Sequence, residues 1–160
     1  MSIDRVRAYL RERGLEDKIR EFEVSSATVE LAAQAAGVIP ARIAKSLTFM
    51  LTEGPAIVVA AGDAKIDNAK FKAQFHAKAK MLAAEEVTAS IGHAVGGVCP
   101  FAIEANVRVY LDVSLKRFES VYPACGSANS AIELTPDQLA ETAQNCQGWV
   151  DVCKGWQDMQ

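Results

Sequence analysis

The chain lacks the features that would assign a chemistry at once. Its four cysteines, Cys99, Cys125, Cys146 and Cys153, form no Cys-x-x-Cys pair, so neither a zinc knuckle nor a thioredoxin-type motif is supported. It has only two histidines, His76 and His93, and neither stands at a spacing diagnostic of a Ser/His or Cys/His pair. The His-x-Glu and Pro-Cys-x-x-Cys of zinc deaminases are both missing. The longest apolar stretch, Ala56-Ile-Val-Val-Ala-Ala61, is far too short to span a bilayer. The opening, Met1-Ser-Ile-Asp-Arg5, carries no apolar signal core. Polar low-complexity tracts, internal repeats and linker-like segments are also absent. A cytoplasmic protein with reduced thiols, and no membrane as partner, is the expectation.

What is present suits one globular domain spanning residues 1–160, large enough for a proper core. Half the residues are apolar and 23% are charged, ordinary values for a soluble domain. The net charge of −3 argues against a surface that grips nucleic acid everywhere, and DNA is not an expected partner, while a local basic patch stays possible in principle. One candidate patch is Lys65–Lys80, with Lys65, Lys70, Lys72, Lys78 and Lys80 against the single acid Asp67. It reads either as a solvated face or as a footprint for a phosphate backbone. Phe71 and Phe75, at i and i+4 within it, read as core.

Periodicity predicts a helix through Ile3, Val6 and Leu10 that stops at Gly14, and a short strand at Phe22–Val24. Ser25–Thr28 supplies caps for an Ala-rich helix ending at Gly37. Pro40 is expected to open a short helix carrying Arg42 and Lys45. Strands are predicted at Ser46–Leu51 and Ala56–Ala61, joined by a turn at Glu53-Gly54-Pro55. Helices follow from Asp67 to His76 and over Ala84–Ile91, the latter ended by Gly92. Val107–Val113 alternates as a strand, and Ser114 is the expected cap of one helical turn. Further strands are predicted at Glu119–Tyr122, Ala131–Leu134 and Trp149–Cys153. Thr135-Pro136-Asp-Gln138 is a capping box with proline at the first helical position, opening a helix to about Asn145. Helices and strand pairs interspersed in this way predict an α+β fold with a mixed sheet.

Three segments carry candidate chemistry. Lys45 stands in Pro40-Ala-Arg-Ile-Ala-Lys45-Ser-Leu, where apolar neighbours can cover its stem and hold its ammonium. A held ammonium binds a phosphate or stabilises charge developing on a carbonyl oxygen. The loop Gly92-His-Ala-Val-Gly-Gly-Val-Cys-Pro100 is neither a P-loop nor a dinucleotide fingerprint. It reads either as a plain connection or, through Gly96 and Gly97, as a cradle of bare backbone amides, with Pro100 stiffening its exit. Cys125-Gly126-Ser127-Ala-Asn129-Ser130 is a second small-residue loop. One cation and two such loops suit a compact electron-rich group, an ester carbonyl or a phosphate. Cys99 with His93 is a rival reading, a thiol nucleophile with its base.

Taken in order, Ser26-Ala-Thr-Val-Glu-Leu-Ala, Arg42-Ile-Ala-Lys45-Ser-Leu, Gly62-Asp-Ala-Lys-Ile-Asp67, Gly92-His-Ala-Val-Gly-Gly-Val-Cys-Pro-Phe101 and Gly126-Ser-Ala-Asn-Ser-Ala-Ile-Glu-Leu134 resemble the YbaK/EbsC family of prolyl-tRNA-synthetase-associated editing domains. The likeness covers nearly the whole chain. It implies a mixed, strongly curved β-sheet surrounded by helices. It also implies an aminoacyl-tRNA deacylase that hydrolyses the ester of a mischarged tRNA in trans, with no metal and no cofactor. By position Lys45 matches the family's essential lysine, and Gly92, Gly96, Gly97 and Pro100 match its glycine loop. Gly126 begins the third loop of the pocket. Thr28, His93, Cys99, Ser127 and Asn129 are the accompanying candidates for substrate contact. The attacking group implied is water or the substrate's own thiol, assisted by the ribose hydroxyl of the terminal adenosine. The implied partners are the acceptor end of the mischarged tRNA and prolyl-tRNA synthetase.

Two departures stand out. Cys99 occupies a position where relatives often carry Ser or Thr. The Cys-tRNA(Pro) deacylase branch resembles Gly-x-Arg-Gly-x-Asp before Ile-Glu-Leu, whereas this chain has Gly126-Ser-Ala-Asn-Ser-Ala131 and so lacks both the arginine and the acid. The expected substrate is therefore tRNA(Pro) carrying a small amino acid, Cys, Ala, Ser or similar. A module that binds aminoacyl-tRNA or a synthetase without hydrolysis is the alternative.

Overall fold

A computed structural model describes residues 2–157; Met1 and residues 158–160 of the expected domain lie outside the described residues. The architecture is α+β, built on a mixed, strongly curved five-stranded sheet. Its centre is the hairpin of β2 (Ile43–Leu51) and β3 (Gly54–Ala61), paired antiparallel from Ala44↔Ala61 to Leu51↔Gly54. β5 (Arg108–Asp112) lies parallel to β3, and β8 (Cys146–Val150) parallel to β5. On the other side β6 (Tyr122–Pro123) lies parallel to β2. Two short antiparallel pairs flank this sheet: β1 (Ile19–Glu21) with β7 (Ser130–Ile132), and β4 (Lys65–Ile66) with β9 (Cys153–Lys154).

β3 is buried on both faces, as an apolar strand at the centre of a sheet must be. Phe49, Phe71, Phe75 and Tyr110 stack in a ladder beside it, with successive ring centroids 4.8, 4.6 and 4.8 Å apart. Phe71 and Phe75 are therefore core, on α3 (Asn68–Phe75). Asp67 caps α3 by accepting from the amides of Ala69 and Lys70. α1 (Ser2–Arg11) buries Val6 and Leu10. α2 (Val29–Ala36) starts on Thr28, whose hydroxyl accepts from the Leu31 amide, and stops on Gly37 at φ +76°. α4 (Ala84–Ile91) stops on Gly92. α5 (Pro136–Thr142) carries the capping box of Thr135 and Gln138. Among the described residues no helix is long and apolar enough to cross a membrane.

Several expectations shift. The segment after Pro40 is a single 3-10 turn, Pro40–Arg42, and β2 already begins at Ile43. Lys45 is therefore a strand residue, because cross-strand pairing with β3 outweighs the local helical signal. The strand expected at Phe22–Val24 lies at Ile19–Glu21, where β7 can pair with it. The cap expected of Ser114 belongs to Asp112, whose carboxylate accepts from the Ser114 amide and opens the 3-10 turn Val113–Arg117. The strand predicted at Glu119–Tyr122 is Tyr122–Pro123, with Val121 bridging to Leu134, and that at Ala131–Leu134 is Ser130–Ile132. The closing strand Trp149–Cys153 is two elements, β8 and β9, and α5 ends at Thr142 rather than Asn145.

Candidate functional site

A cavity of about 320 Å³ opens between α2, β2, the start of α4 and the glycine loop. Thr28, Lys45 and Gly96, all singled out from the sequence, form part of its wall. So do Ser130, from the second small-residue loop, and Ser46 and Thr48, two residues that sequence reasoning passed over as site residues. A signal for two of these was available. In β2, Leu47, Phe49 and Leu51 make one face, which leaves Ser46 and Thr48 as a polar row on the other.

Lys45 is half-buried, and its Nζ donates to the carbonyls of Ala64 and Gly62, the latter at 3.4 Å. Those carbonyls belong to the turn after β3, which abuts Val29, another wall residue. Burial pushes the ammonium's pKa below its usual value; the negative charges of Asp63 and Glu30 work the other way. An ammonium has three N–H groups, so two carbonyls leave one donor for a ligand. Two other wall residues, Ser26 and Ser46, have hydroxyl oxygens that are buried with no hydrogen-bond partner among the described residues. Buried hydroxyls left unpaired are costly to the fold.

The glycine loop divides its labour. Gly96 faces the cavity at φ +94°, with Ala27 and Ala128 the nearest neighbours of the side chain it lacks. Gly97 lies behind it. Its amide donates to the Ala94 carbonyl at 3.0 Å, so the donor expected of it is spent inside the turn. A Cβ there would meet the Gly126 carbonyl carbon and the Ser127 nitrogen at 2.8 Å. Gly97 thus lets the two small-residue loops touch. Gly126 in turn lies against Val6 and the Ser2 carbonyl of α1. Gly92 ends α4 and accepts from Arg5 through its carbonyl. Pro100 is buried, and its carbonyl accepts from the Gln144 amide at 2.8 Å. Ser127 donates to Ser130 at 2.7 Å, and Asn129 donates through Nδ2 to the Phe22 carbonyl at 3.0 Å. Gly92, Gly97, Pro100, Gly126, Ser127 and Asn129 therefore build the frame behind the wall and are not part of the wall itself.

His93 and Cys99 do meet, with Sγ 3.5 Å from Nε2, but outside the cavity and with both side chains fully buried. Nε2 also lies 2.7 Å from the Phe101 carbonyl, which requires it to carry the proton. Desolvation lowers the His93 pKa and pushes the Cys99 thiol up to about 12. A thiol that holds its proton, beside an imidazole already committed as donor, is no nucleophile at neutral pH. Cys99→Ser is expected to leave any turnover assayed within about twofold of wild type. A drop of about a hundredfold in a folded variant would return Cys99 to the mechanism.

A second hollow, of about 920 Å³, is lined by Lys18, Arg20, Arg42 and Arg117 together with Glu119 and Glu133. It is larger, yet Arg42 is engaged by Ser120 and Glu133, and Arg117 by Asp63. The smaller cavity, with the held cation of Lys45 and the bare backbone of Gly96 in its wall, is the better equipped for chemistry. Among the described residues no group of three or more His, Cys, Asp and Glu is placed to hold a metal ion.

Comparison with known proteins places the chain in a family. Residues 23–142 match the model of the aminoacyl-tRNA editing domain. The chain is 54% identical to the uncharacterized protein YwhH of Bacillus subtilis (strain 168), over 98% of this chain and 100% of that one. It is 26% identical to the "Putative Cys-tRNA(Pro)/Cys-tRNA(Cys) deacylase EbsC" of Enterococcus faecalis, over 70% of each. The crystal structure of a "putative trans-editing enzyme for prolyl tRNA synthetase" superposes with a TM-score of 0.85 at 30% identity, over 96% of this chain and 98% of that one. The motif resemblance read from the sequence is therefore borne out, and this chain belongs to the aminoacyl-tRNA editing domain family.

Proposed function

We propose that the protein is a cytoplasmic aminoacyl-tRNA deacylase that acts in trans on tRNA(Pro) bearing a small amino acid. The observation that carries this reading is one small cavity whose wall includes both Gly96, with its open face, and Lys45, whose ammonium is held by the Gly62 and Ala64 carbonyls. Water, or a thiol of the substrate itself, adds to the ester carbonyl. The carbonyl oxygen gains negative charge, and the remaining Lys45 donor stabilises it. The bond to the ribose oxygen then breaks and that oxygen takes the proton of the attacking group, releasing the tRNA end with its hydroxyl restored, together with the free amino acid where water attacks or a cyclic thiolactone where the substrate's thiol does. The ribose hydroxyl of the terminal adenosine assists the attack, and the wall supplies position and charge. A volume near the lower end of ligand pockets suits a small side chain.

The pH dependence follows from the ammonium. Its pKa is lowered, so it loses its proton at a lower pH than an exposed lysine does. Deacylation is expected to fall as pH rises, before the ordinary lysine value of 10.5 is reached. By linkage, the same group makes stability rise with pH across that window, because the unfolded chain holds the proton more tightly. Of the lysines in Lys65–Lys80, Lys70 is held by Asp151 while Lys65, Lys72, Lys78 and Lys80 are exposed. Charge reversal at Lys72 and Lys78 is expected to weaken tRNA binding and flatten its salt dependence. Unchanged affinity and slope would make them plain surface.

The experiment that tests the reading is a deacylation assay with purified protein and a panel of mischarged tRNAs that varies both amino acid and tRNA. Loss of the ester from tRNA(Pro) carrying a small residue supports it. Binding without ester loss would show a recognition module instead, with prolyl-tRNA synthetase then the partner to test.

A further inference from the structure

The turn that holds Lys45 is itself clamped from three directions. Gly62 presses against Pro40, whose carbonyl oxygen would lie 2.1 Å from a Cβ placed there. The Ala61 amide donates to the buried Ser114 hydroxyl at 3.1 Å. Asp63 stands between the two residues whose carbonyls grip Nζ, and it receives both arms of Arg117: Nη2 to Oδ1 at 2.6 Å and Nη1 to Oδ2 at 3.0 Å. Arg117 is fixed in turn. Its Nε donates to the Ser114 carbonyl at 2.9 Å, its Nη1 also donates to the Trp156 carbonyl at 3.2 Å, and its guanidinium lies over the rings of Phe118 and Trp156. Both partners of the pair are largely shielded, with side-chain exposures of 16% and 18%.

This arrangement does more than brace a turn. A carboxylate one residue from both carbonyls would compete for the nearby ammonium if it were free. The bidentate fork takes both of its oxygens, which fixes the plane of the carboxylate and leaves the ammonium to neutral acceptors. We propose that Arg117 and Asp63 are positioning residues for Lys45, holding the Gly62–Ala64 turn so that the ammonium keeps one donor free for the reacting carbonyl. The inference rests on the deacylase reading for its kinetic consequences only.

The groups that face Lys45 are Cys153 on β9, Asp63 on the turn, Glu30 on α2 and Lys65 on β4. Asp63 acts on it from a fixed distance, in the direction that favours the charged form. Removing that charge therefore moves the proton affinity of Lys45 downward, an effect that loss of rigidity elsewhere in the fold would not produce.

The test uses the full-length protein and the variants Asp63→Asn, Arg117→Lys and Arg117→Gln. In Asp63→Asn the side chain keeps its shape, and the alkaline limb of kcat is expected to shift to lower pH. In Arg117→Lys the charge stays but the fork is lost, and kcat is expected to fall by about 10-fold or more with KM nearly unchanged, since small displacements of a catalytic group cost this much. Arg117→Gln should behave like Arg117→Lys. The state of Lys45 is also read without any substrate, by competitive amine labelling across pH followed by peptide analysis. There Asp63→Asn should lower the pH at which Lys45 becomes reactive. If the wild type cleaves no ester, the deacylase reading fails and the labelling result still decides the positioning. An unshifted labelling curve in Asp63→Asn, or wild-type kcat in folded Arg117→Lys, overturns the inference. Should Arg117→Gln fail to fold, Asp63→Asn and Arg117→Lys carry the decision.

Discussion

Lys45→Ala is expected to lower deacylation turnover by about 10²–10³-fold, the range found when one donor to a developing oxyanion is removed. The fold should survive. Lys45 is at the start of β2, half-buried, and its loss removes a cation whose burial is itself unfavourable. The two carbonyls it leaves behind sit in a turn that Pro40, Ser114 and Arg117 already hold. Lys45→Arg is not expected to restore turnover. A planar guanidinium cannot offer the Gly62 and Ala64 carbonyls and a third acceptor the same compact point charge. The measurement is single-turnover ester loss alongside a thermal melt. Near-normal turnover in a folded Lys45→Ala would remove the lysine from the chemistry and with it the reading of this cavity.

Gly97→Ala is expected to be almost as damaging, by a different route. The added carbon would stand 2.8 Å from two backbone atoms of the neighbouring loop, at Gly126 and Ser127. Backbone cannot rotate aside as a side-chain tip can, so one loop must move. Overpacking of this kind costs about 1–3 kcal/mol. In a chain of this size that corresponds to a fall in Tm of roughly 2–4 °C per kcal/mol. Gly96, next in the chain, is a wall residue, so the displacement should reach the substrate and lower kcat as well. Gly97→Val should be worse than Gly97→Ala on both counts. An alanine variant with unchanged melting and turnover would show that the two loops give way freely.

What could be read from the sequence and what could not separate along a physical line. Thr28, Asp67 and the Thr135–Gln138 box were legible because a cap is settled within four residues. The hairpin β2–β3 was legible because alternation and an apolar run survive in any surroundings. Lys45 was placed in the right neighbourhood but on the wrong element, since only pairing with Ala60 of β3 decides that the chain has already left the turn at Pro40–Arg42. β1 and β7 were misplaced by one to three residues for the same reason, as three-residue strands exist only through their partners. Within the site, Gly96 and Gly97 look alike in sequence. Their different duties, one at the cavity and one against Gly126, depend on a contact nearly thirty residues away. Ser26 and Ser46 carried no sequence signal of being unpaired, because that is a statement about what surrounds them.

The grip on Lys45 by peptide oxygens has an electrical consequence. Among the described residues no carboxylate pairs with it, and the nearest candidate, Asp63, is occupied by Arg117. An arriving ester therefore has no counter-ion to displace, and the field the amine projects into the chamber is not cancelled at its source. Mobile ions outside screen such an interior charge poorly. Raising the ionic strength should thus loosen the hold on the RNA while leaving the bond-breaking step of bound substrate nearly as fast as before.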